Sequence, residues 1–205
     1  MGQNARSPYQ VTPDVGNFRF VPGRWYPAGT IGVAAGAVLA ASTIALVPFV
    51  VRDDVRISQL GARITTLAAG GNVQLAIYAA HINTLAPTGQ ALAKTGNLAT
   101  DAAGNVAGAL VGASPVTLPP GLYWFAINAD ASAGGTVIMQ AAGANSPIHG
   151  NMIGSATQAN ISSATGVMML SYTFAQTYGT WPDLTGVTFT EATGQAHAAG
   201  QFLTA

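Results

Sequence analysis

The chain has 205 residues, a formal net charge of zero and no cysteine, and only 7% of its residues are charged, against about 25% in ordinary soluble domains. Since 49% of the residues are hydrophobic, the composition excludes intrinsic disorder, and the lack of cysteine excludes disulfides and thiolate metal sites. The length fits one domain, with or without an arm.

The few charges are unevenly distributed along the sequence. All seven basic residues lie in the first 94 positions, together with three acids, and the remaining four acids follow. The first part therefore has a formal charge of plus four and the rest a charge of minus four. Two explanations of this segregation remain open. With so few charges it can arise by chance, or the N-terminal part docks on an acidic partner. The arginines are too few and too scattered for nucleic-acid binding, which we do not expect.

The first 26 residues are typical of an extended arm that binds a partner. Prolines at positions 8, 13, 22 and 27 exclude a long helix. Widely spaced aromatic side chains would act as anchors, and the candidate partner-binding residues are Tyr9, Phe18, Phe20, Arg24, Trp25 and Tyr26. We therefore predict an extended N-terminal anchoring arm over residues 1–26 and a β-sandwich domain over residues 27–205.

An uncharged stretch over residues 25–51 is long enough to span a bilayer. Prolines and glycines, among them Pro27, Gly32 and Pro48, interrupt it, and much of the rest is alanine, which contributes little to membrane insertion. We expect a loop followed by a buried strand, and no insertion into a membrane.

Short apolar runs separated by glycine-rich turns predict strands over the rest of the chain. The predicted strands are residues 43–51, 55–66 with a register change near Gly61, 73–79, weaker runs around Leu98 and over 106–111, then 122–127, 136–141, 167–174 and a last run ending in Phe202 and Leu203. A short helix within residues 81–92 is an alternative that Pro87 and Gly89 would interrupt. The pattern predicts an all-β fold, an antiparallel two-sheet β-sandwich of the jelly-roll kind, with roughly eight to ten strands.

The most informative segment is VTLPPGLYWFAINAD, residues 116–130. Pro119 and Pro120 cannot donate ladder hydrogen bonds, and Gly121 adopts backbone angles that other residues avoid, so the chain must turn before the next strand. The two faces of that strand are Leu122, Trp124 and Ala126 on one side and Tyr123, Phe125 and Ile127 on the other. Because both faces are apolar, we expect a central strand that is covered on both sides.

Residues that could carry catalysis or bind a metal do not form a known pattern. His81, His149 and His197 are far apart and lack metal-ligand spacing, and the sequence contains no GxSxG motif. We interpret Asp53 and Asp54 as a hairpin turn between two strands and not as paired catalytic carboxylates. The sequence therefore predicts no enzyme activity, no cofactor and no metal site.

One loop has the composition of a carbohydrate-binding site. The sequence TYGTWPD contains Tyr178, Trp181 and Asp183, and sugar rings stack on exposed aromatic faces while carboxylates and amides bind the hydroxyls. These three residues are the candidate glycan-binding residues. The alternative is that Tyr178 and Trp181 cap the sandwich core. Polar loops at residues 143–151 and 155–163 would supply further amide groups, and they are equally ordinary surface connections.

Four segments together resemble β-sandwich domains of tailed-bacteriophage fibre, spike and head-fibre proteins and of related gene transfer agents. They are FVVRDDVRISQLGARITT, NVQLAIYAA, VTLPPGLYWFAI and YGTWPDLTG, and the likeness covers residues 43–190. The resemblance implies a virion structural protein, a tail fibre, spike or capsid-decoration subunit, that is assembled in the host cytoplasm. It implies a small homo-oligomer whose arm binds other virion proteins of the capsid or tail. The alternative is an adhesin whose partner is a host-surface glycan.

Overall fold

The structure is a computed structural model, and it describes residues 20–28, 37–38, 40–130, 138–139, 171–192 and 200–205. All regular secondary structure within these ranges is β-strand, which confirms the predicted all-β class. The described strands are β1 (Trp25–Ala28), β2 (Ala37–Val38), β3 (Thr43–Val51), β4 (Val55–Thr66), β5 (Asn72–Ala80), β6 (Pro87–Lys94), β7 (Leu98–Ala99), β8 (Gly104–Ala109), β9 (Val116–Leu118), β10 (Gly121–Ala129), β11 (Ile138–Met139), β12 (Ser171–Ala175), β13 (Thr190–Ala192) and β14 (Gly200–Thr204).

These strands form two sheets, which we call sheet A and sheet B. In sheet A the order is β1-β14-β4-β11-β2, and β8 and β9 also pair with β4. In sheet B the order is β13-β12-β3-β10-β5-β6, and β7 also pairs with β5. Every described pairing is antiparallel. The predicted antiparallel two-sheet β-sandwich is therefore confirmed.

Strand β10 lies at the centre of sheet B and is buried on both faces. It pairs with β3 on one side and with β5 on the other. Phe125 and Ile127 belong to the core between the two sheets, whereas Trp124 and Ala126 belong to a second apolar cluster on the outer face of sheet B. Trp124 and Phe125 have no exposed surface. The prediction of a central strand that is covered on both sides is confirmed.

The double proline moves the chain from one sheet to the other. Strand β9 ends at Leu118 in sheet A, and β10 begins at Gly121 in sheet B. Pro119 and Pro120 occupy the connection, where their missing N–H groups break no ladder. The Tyr123 hydroxyl donates a hydrogen bond to the Pro119 carbonyl oxygen at 2.8 Å. This bond ties the connection to the strand that follows it.

One prediction about a connection is wrong, and the alternative of a short helix within residues 81–92 is not found. Strand β3 belongs to sheet B and β4 to sheet A. Asp53 and Asp54 are therefore part of a connection from one sheet to the other and not of a hairpin. A short polar connection looks the same in sequence whether it joins two paired strands or two sheets. Only the pairing partner of each strand distinguishes the two arrangements. Residues 81–92 contain no helix: a turn precedes strand β6, which begins at Pro87. A proline is tolerated there because the first residue of a strand can lack an N–H group at little cost.

The predicted strand positions agree with the structure to different degrees. The runs at 43–51 and 55–66 coincide with β3 and β4. The pairing of β4 shifts register between Ile57 and Gln59 opposite β14 and between Ile64 and Thr66 opposite β11, on either side of Gly61. Of the runs predicted at 136–141 and 167–174, β11 and β12 contain the described parts, and the other residues lie outside the described ranges.

Candidate functional site

Residues 176–189 run across the outer face of sheet B, and we call them the covering segment. Leu184 is 1% exposed and lies in the apolar cluster around Trp124, on which Trp181 and Phe189 also pack. Backbone hydrogen bonds fix the segment at two points, from Gln176 N to Ser42 O at 2.9 Å and from Leu184 N to Gly89 O at 2.9 Å. All three candidate glycan-binding residues lie on this segment.

Trp181 packs against the sheet. Its ring lies 6.2 Å from the ring of Tyr78, centroid to centroid, and the side chain is half-buried. The Tyr78 hydroxyl donates a hydrogen bond to the Pro182 carbonyl oxygen at 3.0 Å. Burial, and after it the Asp183 carboxylate, raises the pKa of Tyr78. Trp181 thus forms part of the layer that covers the outer face of sheet B.

Asp183 is exposed and accepts hydrogen bonds from Thr185 and Gln90. Its Oδ1 atom accepts from the Thr185 N–H group at 2.8 Å, and its Oδ2 atom accepts from Gln90 Nε2 at 3.0 Å. The bonds from Thr185, followed by the bond from Gln90, hold the pKa of this carboxyl below its usual value. Asp183 is therefore ionised at neutral pH, and its oxygens keep lone pairs that point to solvent.

Tyr178 belongs to a different set of side chains, which we call the amide cluster: Gln74, Asn97 and Asn128 with Tyr178. The Tyr178 hydroxyl donates to Asn97 Oδ1 at 3.1 Å, and Gln74 Nε2 donates to the same oxygen at 2.8 Å. Asn128 Nδ2 donates to the Thr177 carbonyl oxygen at 3.4 Å. Burial, and after it the Asp130 carboxylate, raises the pKa of Tyr178 to about 12.

Three buried polar atoms of the described residues have no hydrogen-bond partner. They are Gln74 Oε1, Asn128 Oδ1 and Trp181 Nε1, and all three lie on the outer side of sheet B. An unpaired buried group of this kind costs about 1–3 kcal/mol, and native proteins usually satisfy such groups with water or a ligand. The interface below the covering segment therefore has unused hydrogen-bonding capacity.

The structure separates the three residues that the sequence grouped. Tyr178 joins the amide cluster, Trp181 joins the apolar cluster, and Asp183 bonds to Gln90 at the edge strand β6. Sequence reasoning did not single out the buried amides Gln74 and Asn128. The signal was present, since each is a polar residue at a buried position of a strand that is otherwise almost wholly apolar.

The described part of the predicted arm packs on the sandwich. Strand β1 pairs with β14, so the boundary predicted between residues 26 and 27 falls inside a strand. The rings of Phe20, Tyr26 and Phe202 contact one another, with centroids 5.0 to 6.0 Å apart. Arg24 N donates to Thr204 Oγ1 at 3.1 Å. Tyr9 and Phe18 lie outside the described residues.

Trp25 lies on the outer face of sheet A and remains 42% exposed. It rests on Gly61 of β4, because a Cβ atom at Gly61 would lie 3.1 Å from Trp25 Cζ3 and 3.0 Å from the Val106 carbonyl oxygen. A glycine at this position therefore makes room for the indole. The result is an aromatic face presented to solvent at the edge of the sandwich.

An open cleft of about 390 Å³ lies between the β5–β6 turn and the start of β10. Its lining is mostly apolar and includes Ile82, which is 87% exposed, and His81. The His81 Nδ1 atom accepts hydrogen bonds from the N–H groups of Asn83 and Thr84, each at 3.3 Å. The His81 side chain therefore stabilises the turn that precedes strand β6.

Among the described residues, no three His, Cys, Asp or Glu side chains lie close enough to hold a metal ion, and no helix is long and apolar enough to cross a membrane. No protein-family model and no curated protein matches the chain. A functional assignment therefore rests on the residues and on the geometry described above.

Proposed function

We propose that this chain is a structural subunit of a tailed-phage or phage-like particle, a tail fibre, spike or capsid-decoration protein, and that its N-terminal segment anchors it to the capsid or tail. The observation that carries the proposal is the position of residues 20–28 at the edge of sheet A. Because all four residues of β1 pair with β14, an anchor formed by residues 1–19 would join the sandwich at the edge of sheet A. An anchor that starts there can set the orientation of the whole domain.

The surface of the protein is consistent with this role. Only 7% of the residues are charged, and neutral surfaces suit a subunit that is packed against copies or partners. Several large hydrophobic side chains are exposed, among them Trp25, Ile82 and Val111. The resemblance of residues 43–190 to phage fibre and spike domains is the reason why we propose a phage particle as the partner assembly.

The experiment that tests the proposal compares particles assembled with different forms of the chain. One form lacks residues 1–19 and keeps β1, and a second carries Tyr9→Ala and Phe18→Ala in the full chain. A matched control keeps the length and composition of residues 1–19 but shuffles their order. We expect the deletion and the shuffled form to fall below about a tenth of normal occupancy, which corresponds to about 1.4 kcal/mol of lost affinity. Normal occupancy without residues 1–19 would contradict the anchoring role.

A second candidate function is binding of a host-surface glycan by the outer side of sheet B. The amide cluster favours it, because Asn97 is exposed and Tyr178 is half-buried, so an aromatic ring and an amide group lie side by side at the surface. A glycan array with the wild-type chain, Trp181→Ala and Tyr178→Phe tests this function. Binding that both substitutions weaken would support it, and no binding to any sugar would count against it.

A further inference from the structure

The two outer faces of the sandwich differ in charge. The strands of sheet A contain two arginines, Arg56 and Arg63, and no acidic residue or lysine. Both arginines are exposed on the outer face, because their neighbours Val55, Ile57 and Ile64 point into the core. We call this surface the basic face. It is basic although the chain as a whole is neutral.

The outer side of sheet B is acidic, and we call it the acidic face. Glu191 pairs across strands with Tyr172, whose ring stacks on Trp124 of the outer cluster. Asp183 lies on the covering segment, and Asp130 directly follows the end of β10. Burial, and after it the nearby carboxylate, raises the pKa values of three outer tyrosines, in the pairs Tyr78 with Asp183, Tyr178 with Asp130 and Tyr172 with Glu191.

One basic residue also lies on the acidic face. Lys94 is the cross-strand neighbour of Ala76, which belongs to the outer cluster. Among the described residues assigned to the two faces, three acids outnumber one lysine on the acidic face, and Arg56 and Arg63 are the charged residues in the strands of the basic face. The charge separation seen along the sequence thus becomes a separation between two opposite surfaces.

Apart from Arg56 and Arg63, the described strands of sheet A contain only uncharged residues. Ala107 and Ala109 of β8 are exposed next to β4, and Trp25 presents its indole at the edge. Gly61 brings that indole down onto the sheet. Aromatic residues and arginines are enriched in protein interfaces, whereas acidic residues and lysines are depleted. The composition therefore fits a surface that packs on another protein.

We propose that the basic face of one copy of this chain docks on the acidic face of a second copy. The partner is another copy because the described residues of the chain itself form a second surface of opposite charge sign. The contact joins two different faces, so it is heterologous and can repeat to form a ring or a stack. Charge contacts set the orientation and the choice of partner, and Trp25 with the small residues supplies apolar contact area. The inference deepens the proposed function, on which it rests for its biological setting.

The test measures self-association of the purified full chain by sedimentation velocity over a concentration series, at low and high salt. Arg63→Glu is compared with Arg52→Glu, which makes the same change at an exposed residue of the β3–β4 connection, outside the strands of both sheets. We expect the Arg63 variant to raise the dissociation constant about tenfold or more and the Arg52 variant to change it less than about twofold. High salt should weaken association of the wild type.

Charge exchange provides the sharper comparison. A variant with Arg56→Glu and Arg63→Glu has two acidic faces, and a variant with Asp183→Lys and Glu191→Lys has two basic faces. Each should be monomeric alone, and an equimolar mixture should associate again. Thermal unfolding checks that each variant is folded, and Arg63→Gln, which removes the charge without reversing it, should weaken association to a smaller degree.

Three results would overturn the proposal. The wild type could remain monomeric throughout the series, Arg63→Glu could behave like Arg52→Glu, or the mixture of charge-exchanged variants could fail to associate. These measurements use no particles, so they can fail while the N-terminal segment still controls particle occupancy. The two proposals are therefore distinguishable.

Discussion

Gly200 of sheet A and Phe125 of sheet B are packed directly against each other across the sandwich. A Cβ atom at Gly200 would overlap the ring carbon atoms of Phe125. Because Gly200 has no side chain, the ring of Phe125 can occupy the space next to the Gly200 backbone. The pair explains how a buried phenylalanine on β10 can lie so close to the last strand of the chain.

We expect Gly200→Ala to lower the free energy of unfolding by about 1–3 kcal/mol or more, because the methyl group overpacks the core. Gly96→Ala is the matched control, since the nearest atom to its new methyl group would be Val111 Cγ2 at 3.9 Å. Urea unfolding of both variants provides the measurement. Equal stability of Gly200→Ala and the wild type would be incompatible with this packing.

Leu184→Ala tests whether the covering segment contributes to stability. Leu184 is 1% exposed in the outer cluster, and truncation of a buried leucine costs about 2–5 kcal/mol. Ile82→Ala removes a similar side chain that is 87% exposed and should cost less than about 0.5 kcal/mol. If the two variants have the same unfolding midpoint in urea, the segment does not cover sheet B in solution.

The truncations separate the arm from the edge strand. Removal of residues 1–19 keeps β1 and all of its described contacts, so it should lower the free energy of unfolding less than a deletion that includes β1. Removal of residues 1–28 also deletes Tyr26, whose ring stacks on Phe202, and Ala28, which has no exposed surface. Lost burial of about 1.5–3 kcal/mol for a large side chain predicts clear destabilisation of the longer truncation. Equal stability of both truncations would contradict the position of β1.

Stability should fall at alkaline pH. Burial raises the pKa of Tyr178 to about 12 and raises those of Tyr78, Tyr123 and Tyr172 above the ordinary value of 10.0. The folded chain therefore keeps protons that the unfolded chain releases near pH 10, and stability present below pH 10 is lost as the pH rises towards 12. Tyr178→Phe should make this fall shallower in a series of urea unfolding curves. Identical slopes for variant and wild type would contradict the assignment.

The sequence predicts strands well where an apolar run is bounded by turn residues. Strands β3 and β4 have the predicted bounds, and the two-sided burial of β10 follows from alternating aromatic residues. The partners of those strands could not be predicted, because periodicity determines which face is buried and not which strand lies alongside. Asp53 and Asp54 are the clearest case, since they connect two sheets and not two paired strands.

The candidate site was harder to predict than the fold. The covering segment is almost free of regular structure, so no periodicity indicates which of its side chains face the sheet. Tyr178 and Trp181 are close in sequence, but their environments differ. Tyr178 bonds to Asn97, which also accepts a bond from Gln74, whereas Trp181 contacts Tyr78. The contacts of these side chains come from residues about a hundred positions away, which local sequence patterns cannot reveal.

The most direct test of the central claim is the location of the chain in intact particles. Mass spectrometry of purified particles, with an image reconstruction of wild-type particles and of particles that lack the chain, would measure it. We predict that the chain copurifies with particles and that the difference density at the capsid or tail fits the two-sheet sandwich, with the β1 edge towards the particle. Particles that contain no copy of the chain and show no difference density would contradict the account.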